Sequence, residues 1–250
     1  MVRPVIDVEN EVSVYNQSMI DDALATYPEL VTFNPVPPEV GVRANTPPAG
    51  KVALYWKTCT VGNFRFPLNP FQISVLRHYR VGFAQLHPHG WQKITIFEMF
   101  CRAHNREPDL NVFGCIFRLA QSENSWYTFE KKPKNNFNVL ESRSLHQWRD
   151  TYFFIDETAL GSRGHRLWRY TRDINHSRAP NHLTDAQIEL KNLCWNANLR
   201  LRPYNDVVLR LAGMNSSCAR DELRPIVTDS SGRGMPIFLM LHHVLINRYG

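Results

Sequence analysis

Between Phe64 and Phe129 the chain sets down helix-opening prolines, bulky apolar runs and an aromatic strand with almost no spacer between them. That run restricts the folds open to it. Asn69 is a good helix N-cap, and Pro70 suits the first helical position, where its missing N–H would have had no partner. Phe71, Val75 and Tyr79 recur every four residues with Leu76 beside them, which makes one apolar stripe. Gly82 is expected to end this helix. Pro88 opens a second, in which Ile94, Ile96, Phe97, Met99, Phe100, Cys101 and Ala103 are apolar nearly all round. A helix without a polar face belongs at the centre of a domain. Pro108 closes the connection, and Asp109 caps a third helix with Leu110, Phe113, Ile116 and Phe117 inward. The period then changes. Trp126-Tyr127-Thr128-Phe129 and Tyr152-Phe153-Phe154-Ile155 read as strands. They are expected to pair antiparallel across the polar link that holds Lys131, Lys132, Lys134, Asn135 and Asn136. Trp91, Phe97, Phe113, Phe117 and Trp126 are expected to fill the core.

The flanks are read from weaker signals. Residues 1–49 form an acidic, proline-rich arm with a short helix from Ser18 to Thr26, Ser18 serving as its cap. Val52 to Cys59 is ambiguous: its Val/Tyr/Trp content permits a strand, but the reading favoured is a helix packed beneath the core. Thr184 caps a helix through Ile188 and Leu193, and a second short helix covers Val207 to Ala212. The expectation is therefore an α+β fold: a mainly helical core with a small antiparallel sheet, in a single domain over residues 50–214. The arm and a tail at 215–250 are expected to be loosely attached, the tail disordered or truncated.

At 250 residues and 43% hydrophobic there is ample material for a core. The formal net charge of +6 makes anionic partners plausible. The charge is unevenly spread. Residues 1–30 set Arg3 against six carboxylates, whereas residues 162–178 set five arginines against Asp173. Five widely spaced cysteines in apolar contexts read as buried thiols in a reducing compartment. No secretory signal is recognisable and no apolar stretch is long enough to span a bilayer. The expected location is intracellular, cytoplasmic or nuclear.

The motifs of this run resemble a plant domain family labelled as gypsy-type transposase. Its Arg-hydrophobic-Pro-Leu-x-Pro-Phe element corresponds to Arg65 to Phe71, and its Gln-Leu-x-Pro-x-x-Trp element to Gln85 to Trp91. Its Phe-x-Leu and Trp-Tyr-x-Phe elements correspond to Phe117 to Leu119 and Trp126 to Phe129. Trp148, Phe153, Phe154, Trp168 and the Ala212-Gly213-Met214 ending extend the likeness. The resemblance implies a gag-like, non-enzymatic region of a Ty3/gypsy retrotransposon or of a host gene descended from one. It brings no catalytic residue and no cofactor. Its implied partners are RNA or DNA, further copies of the chain, or other element-encoded proteins.

Catalytic signatures are missing from the sequence itself. No phosphate-cradling Gly-x-x-x-x-Gly-Lys run and no Gly-x-Ser-x-Gly elbow occurs. Asp229-Ser230-Ser231-Gly232 is one residue too long for an aspartic-protease turn. Cys101 and His104, three apart on one helix, could face a common ion, while His87 and His89 lie two helical turns or more before them; a buried thiol, a helix-end histidine and two polar residues at a helix start account for the four much better. The strongest functional signal is the stretch 162–178. There Arg163, Arg166, Arg169, Arg172 and Arg178 interleave with Trp168 and Tyr170. Arginines neutralise phosphates and aromatic faces stack unpaired bases. The alternative is that Leu167, Trp168 and Tyr170 pack on the sheet while the arginines form a solvated loop face. Lys131-Lys132-Pro133-Lys134 is a weaker patch of the same kind.

Overall fold

A computed structural model describes residues 13–62, 64, 66–123, 126–139, 145, 147–161, 167, 170–176, 182–197, 200–201, 226–228 and 234–236. The fold is α+β. Its helices are α1 (Gln17–Thr26), α2 (Trp56–Thr60), α3 (Pro70–Tyr79), α4 (Pro88–Ala103), α5 (Leu110–Ile116) and α6 (Asp185–Trp195). The principal strands are β1 (Lys51–Tyr55), β2 (Phe117–Glu123), β3 (Trp126–Lys131) and β5 (Tyr152–Asp156). Two-residue β4 (Asn138–Val139) pairs in parallel with β6 (Arg200–Leu201). The short β7 (Ile226–Thr228) and β8 (Gly234–Pro236) form an antiparallel pair within the stretch expected to be a tail. The rest of 215–250 and the helix expected at 207–212 lie outside the described residues.

The helix starts follow the local chemistry. Asn69 Oδ1 accepts the Gln72 N–H at 3.0 Å while Gln72 Oε1 accepts the Asn69 N–H at 3.2 Å, a complete capping box before Pro70. Asp109 caps α5 through the Val112 N–H at 2.9 Å, and Thr184 caps α6 with its own box. Two boundaries differ from the reading. The cap of α1 is Asn16, whose Oδ1 accepts the Met19 N–H at 3.1 Å, so that helix starts earlier than Ser18 implied. Helix α3 ends at Arg80, which takes the left-handed conformation at φ 51° in place of Gly82.

The strand pairing also corrects the sequence reading. β3 and β5 do not pair with each other. β3 pairs with β2, Leu119 opposite Phe129, and β5 pairs with β1, Ala53 opposite Phe154. Val52 to Tyr55 is thus strand rather than helix, and only Trp56–Thr60 is helical. All of Val52, Ala53, Leu54 and Tyr55 are buried. A strand buried on both faces loses the alternation that identifies it, so it reads like a buried helix.

Helix α4 occupies the centre. Trp91, Ile94, Ile96 and Phe97 are fully buried. Phe97 meets Phe71 at 5.6 Å, Phe113 at 5.3 Å and Phe137 at 6.1 Å between ring centroids. All five rings assigned to the core, Trp91, Phe97, Phe113, Phe117 and Trp126, are there. The helix is not wholly apolar, however: Gln92, Lys93, Thr95 and Glu98 are buried with it. Nor is the N-terminal arm loosely attached over its described part. Ile20, Ala23, Tyr27, Leu30 and Ala44 join the core, and Val36 exchanges backbone hydrogen bonds with Phe154 at 2.8 and 2.9 Å. Apolar residues at helical spacing in α1 supply the reason, since their burial favours docking over solvation.

Candidate nucleic-acid interface

The Arg/aromatic stretch can be followed at 167 and from Tyr170 to His176; Arg163, Arg166, Trp168, Arg169 and Arg178 lie outside the described residues. The visible part is a strap laid across the end of α3 and the turn Phe83–Gln85. Leu167, Tyr170 and Ile174 pack against the core, while Arg172, Asp173 and His176 are exposed. This division follows the packed-loop alternative for Leu167 and Tyr170. It also leaves Arg172 facing solvent, with no carboxylate paired to it among the described residues.

Three side chains hold the strap. Buried Gln85 accepts the Thr171 N–H at 2.8 Å on Oε1 and donates from Nε2 to the Thr171 carbonyl at 3.0 Å. The orientation of this amide is set by its partners, because a backbone N–H can only donate. Gln85 thereby imitates one rung of a β-ladder. The Tyr170 hydroxyl lies 3.1 Å from that of Tyr55, so the ring is anchored at its polar end. Asn175 closes α3: its N–H donates to the Tyr79 carbonyl at 2.9 Å and its side-chain amide to the His78 carbonyl at 2.6 Å. The Val81 and Arg80 N–H groups take the Leu76 and Arg77 carbonyls. The last turn of the helix therefore has its free carbonyls satisfied.

Around this junction the charge is mostly positive. Arg77 and Arg80 stand exposed at the end of α3, and Arg80 Nη1 pairs with Asp173 Oδ2 at 2.6 Å, both side chains largely in solvent. Burial pushes the His78 imidazole below its ordinary range, so it is neutral at neutral pH. An open groove of about 440 Å³ runs beside Arg77 and His78, lined also by Pro70, Ile73, Ser74 and Leu110.

The other candidates resolve into structural roles. Lys131 Nζ donates to the Asn135 carbonyl at 2.8 Å and Lys132 Nζ to the Gly114 carbonyl at 2.5 Å, which fastens the turn after β3. His87 caps α4 by accepting the His89 N–H at 3.0 Å on Nδ1. His104 Nδ1 lies 2.8 Å from the Phe100 carbonyl. Cys101 is fully buried, and burial pushes its thiol far up, beside Cys194. Among the described residues no group of three histidines, cysteines or carboxylates could hold a metal ion, and no helix is long and apolar enough to cross a membrane. Asp229 to Gly232 lies outside them. Sequence reasoning missed Gln85 and Asn175 as anchors. Gln85 stood within the quoted Gln85-to-Trp91 element, but nothing local announces a side chain that bonds the backbone of a residue 86 positions away.

Residues 54–121 match the family model described as "Putative gypsy type transposon". That segment is similar to the gypsy-type transposon family. The matched segment takes in β1 from Leu54, helices α2 to α5 and most of β2, about a quarter of the chain. It includes the Arg65-to-Phe71, Gln85-to-Trp91 and Phe117-to-Leu119 elements. The Trp126-to-Phe129, Trp148, Phe153-Phe154 and Ala212-to-Met214 likenesses fall beyond it, as does the Arg172 strap. No curated protein and no solved structure matches the chain.

Proposed function

We propose that this chain is a non-enzymatic, gag-like structural and interaction domain of retrotransposon origin, working inside the cell in the cytoplasm or nucleus. The observation that supports it most is how the gypsy-type segment uses its side chains. Phe64, Phe66, Phe71, Phe83, Trp91, Phe97 and Phe113 fill the interior. Its best-placed polar groups join elements to one another: Asn69 reaches Glu98 and Gln85 reaches Thr171. Such a segment is built to hold a shape, and its partners would be other copies of the chain or other element-encoded proteins. The test is direct. Purified chain incubated with supercoiled DNA and Mg²⁺ or Mn²⁺ is expected to leave it intact; a metal-dependent nick or strand transfer abolished by chelation would overturn the reading.

A second reading, a module that binds RNA or DNA through 162–178, is favoured by the solvent-facing Arg172. Substituting Ser for Arg163, Arg166, Arg169, Arg172 and Arg178 is then expected to weaken binding and flatten its salt dependence. Equal affinity of the two proteins at every salt concentration removes it.

A further inference from the structure

We infer that the end of α3 and the strap form one composite surface for the phosphodiester backbone of single-stranded nucleic acid, in which Arg77 and Arg80 act together with Arg172. This inference rests on the second reading of function and adds residues some ninety positions earlier in the sequence. The strap that carries Arg172 is fixed to the end of the helix that carries Arg77 and Arg80. Asn175 bonds the His78 and Tyr79 carbonyls, and Asp173 reaches Arg80. Residue 172 is consequently held next to the last turn of α3.

Three features suit a phosphate. Firstly, Arg77, Arg80 and Arg172 are all exposed, so a ligand reaches them without unfolding anything. Secondly, the negative end of a helix ordinarily repels anions. Here the carbonyls of residues 76 to 79 are all engaged by N–H donors, Asn175 supplying two of them, which reduces that repulsion. Thirdly, the Arg80–Asp173 pair lies in solvent, where ion pairs contribute little, so Arg80 exchanges its carboxylate for a phosphate at small cost. Bases have places beside the backbone. The groove next to Arg77 has apolar walls in Pro70, Ile73 and Leu110, and the exposed His176 ring lies 6.1 Å from that of half-buried Tyr127. Aromatic faces of this kind stack unpaired bases regardless of sequence.

The test is fluorescence anisotropy of the full chain with a labelled mixed-sequence single-stranded RNA and the DNA of the same sequence, repeated across a salt series. Removing three phosphate contacts in R77S/R80S/R172S is expected to lower the slope of log K against log salt by about 2 and the affinity by about tenfold or more. R77K/R80K/R172K keeps the charge and is expected to keep the slope. Unchanged thermal unfolding of both variants shows that the fold is intact. If wild type binds and the serine variant binds with the same slope, the composite surface is wrong while the second reading stands. If the lysine variant loses as much as the serine variant, charge is not the cause and the inference is likewise wrong. If wild type binds neither probe, both fall. Equal binding of RNA and DNA assigns recognition to the phosphodiester alone; a preference for RNA adds the 2′-hydroxyl.

Discussion

Trp91→Ala is expected to destabilise the protein by about 3–5 kcal/mol, the range for emptying a large aromatic site in a packed core. The indole is fully buried. It packs at 4.6 Å from the Phe64 ring and 5.2 Å from the Phe83 ring. The backbone at Gly62 closes over it: a Cβ added to Gly62 would lie 2.8 Å from Trp91 Cβ and 2.6 Å from the Thr58 carbonyl oxygen. With α2 pressed so closely on α4, the site has little freedom to collapse, which places the cost toward the upper end. Urea denaturation followed by far-UV circular dichroism measures it. In a domain of this size the melting temperature should fall by roughly 10 °C. Trp91→Phe is the informative companion. It leaves a smaller cavity and removes an indole N–H that has no acceptor among the described residues, so it should cost much less than the alanine. A loss below about 1 kcal/mol for Trp91→Ala would mean that the ring does not fill the interior.

What was legible in the chain was what is encoded over three or four residues. Asn69 with Pro70, Asp109 and Thr184 each satisfy N–H groups within their own first turn, and that chemistry needs no knowledge of the fold. The same locality explains why Phe97 and Phe113 could be assigned to the core from spacing alone. Strand identity required more. Phe113 and Phe117 are four apart and fit one helical face, yet the helix stops at Ile116 and Phe117 begins β2. Gly114 lies inside the helix and no glycine or proline follows Ile116 to mark the change, and the Lys132 N–H bonding the Ile116 carbonyl at 2.8 Å comes from sixteen residues further along. Pairing is set by which edges tertiary packing brings together, so the partner of β5 turned out to be β1, about a hundred residues earlier. The strap gave a mixed result. Its charge and aromatic content were plain in the sequence, but its attachment depends on Gln85 and Asn175 acting as substitutes for backbone groups. Arg77 and Arg80 carried no signal of their own, because nothing linear relates them to residue 172.

Glu98 is the other side chain whose replacement should be felt strongly, and it separates a structural acid from a working one. It is fully buried in the middle of α4. Both of its oxygens lie within 2.9 Å of Asn69 Nδ2, and Arg102, one turn on, reaches it at 3.3 Å. The acid therefore bolts the central helix to the residue that caps α3. Burial pushes its carboxyl above the ordinary range, with Asn69 and Arg102 pulling it back. A carboxyl raised in the folded state contributes stability that is fully present below its unfolded pKa and is lost as pH rises through its folded value. At neutral pH the ionised form is thus a net burden on the fold. Glu98→Gln keeps an acceptor for Asn69 and discards the charge, so at pH 7 it should be at least as stable as wild type, with the advantage disappearing in acid below the ordinary carboxylate range. Arg102, with its side chain partly in solvent and Glu107 at 3.8 Å, has another carboxylate to turn to. Glu98→Ala, in contrast, takes the carboxylate from the half-buried Asn69 donor and opens a cavity in the buried helix, and should cost about 3 kcal/mol. Denaturant midpoints of the three proteins at pH 7 and pH 4 decide it. A glutamine variant as unstable as the alanine at pH 7 would show that the fold depends on the negative charge itself, and Glu98 would then have to be considered a candidate for chemistry that a purely structural domain does not need.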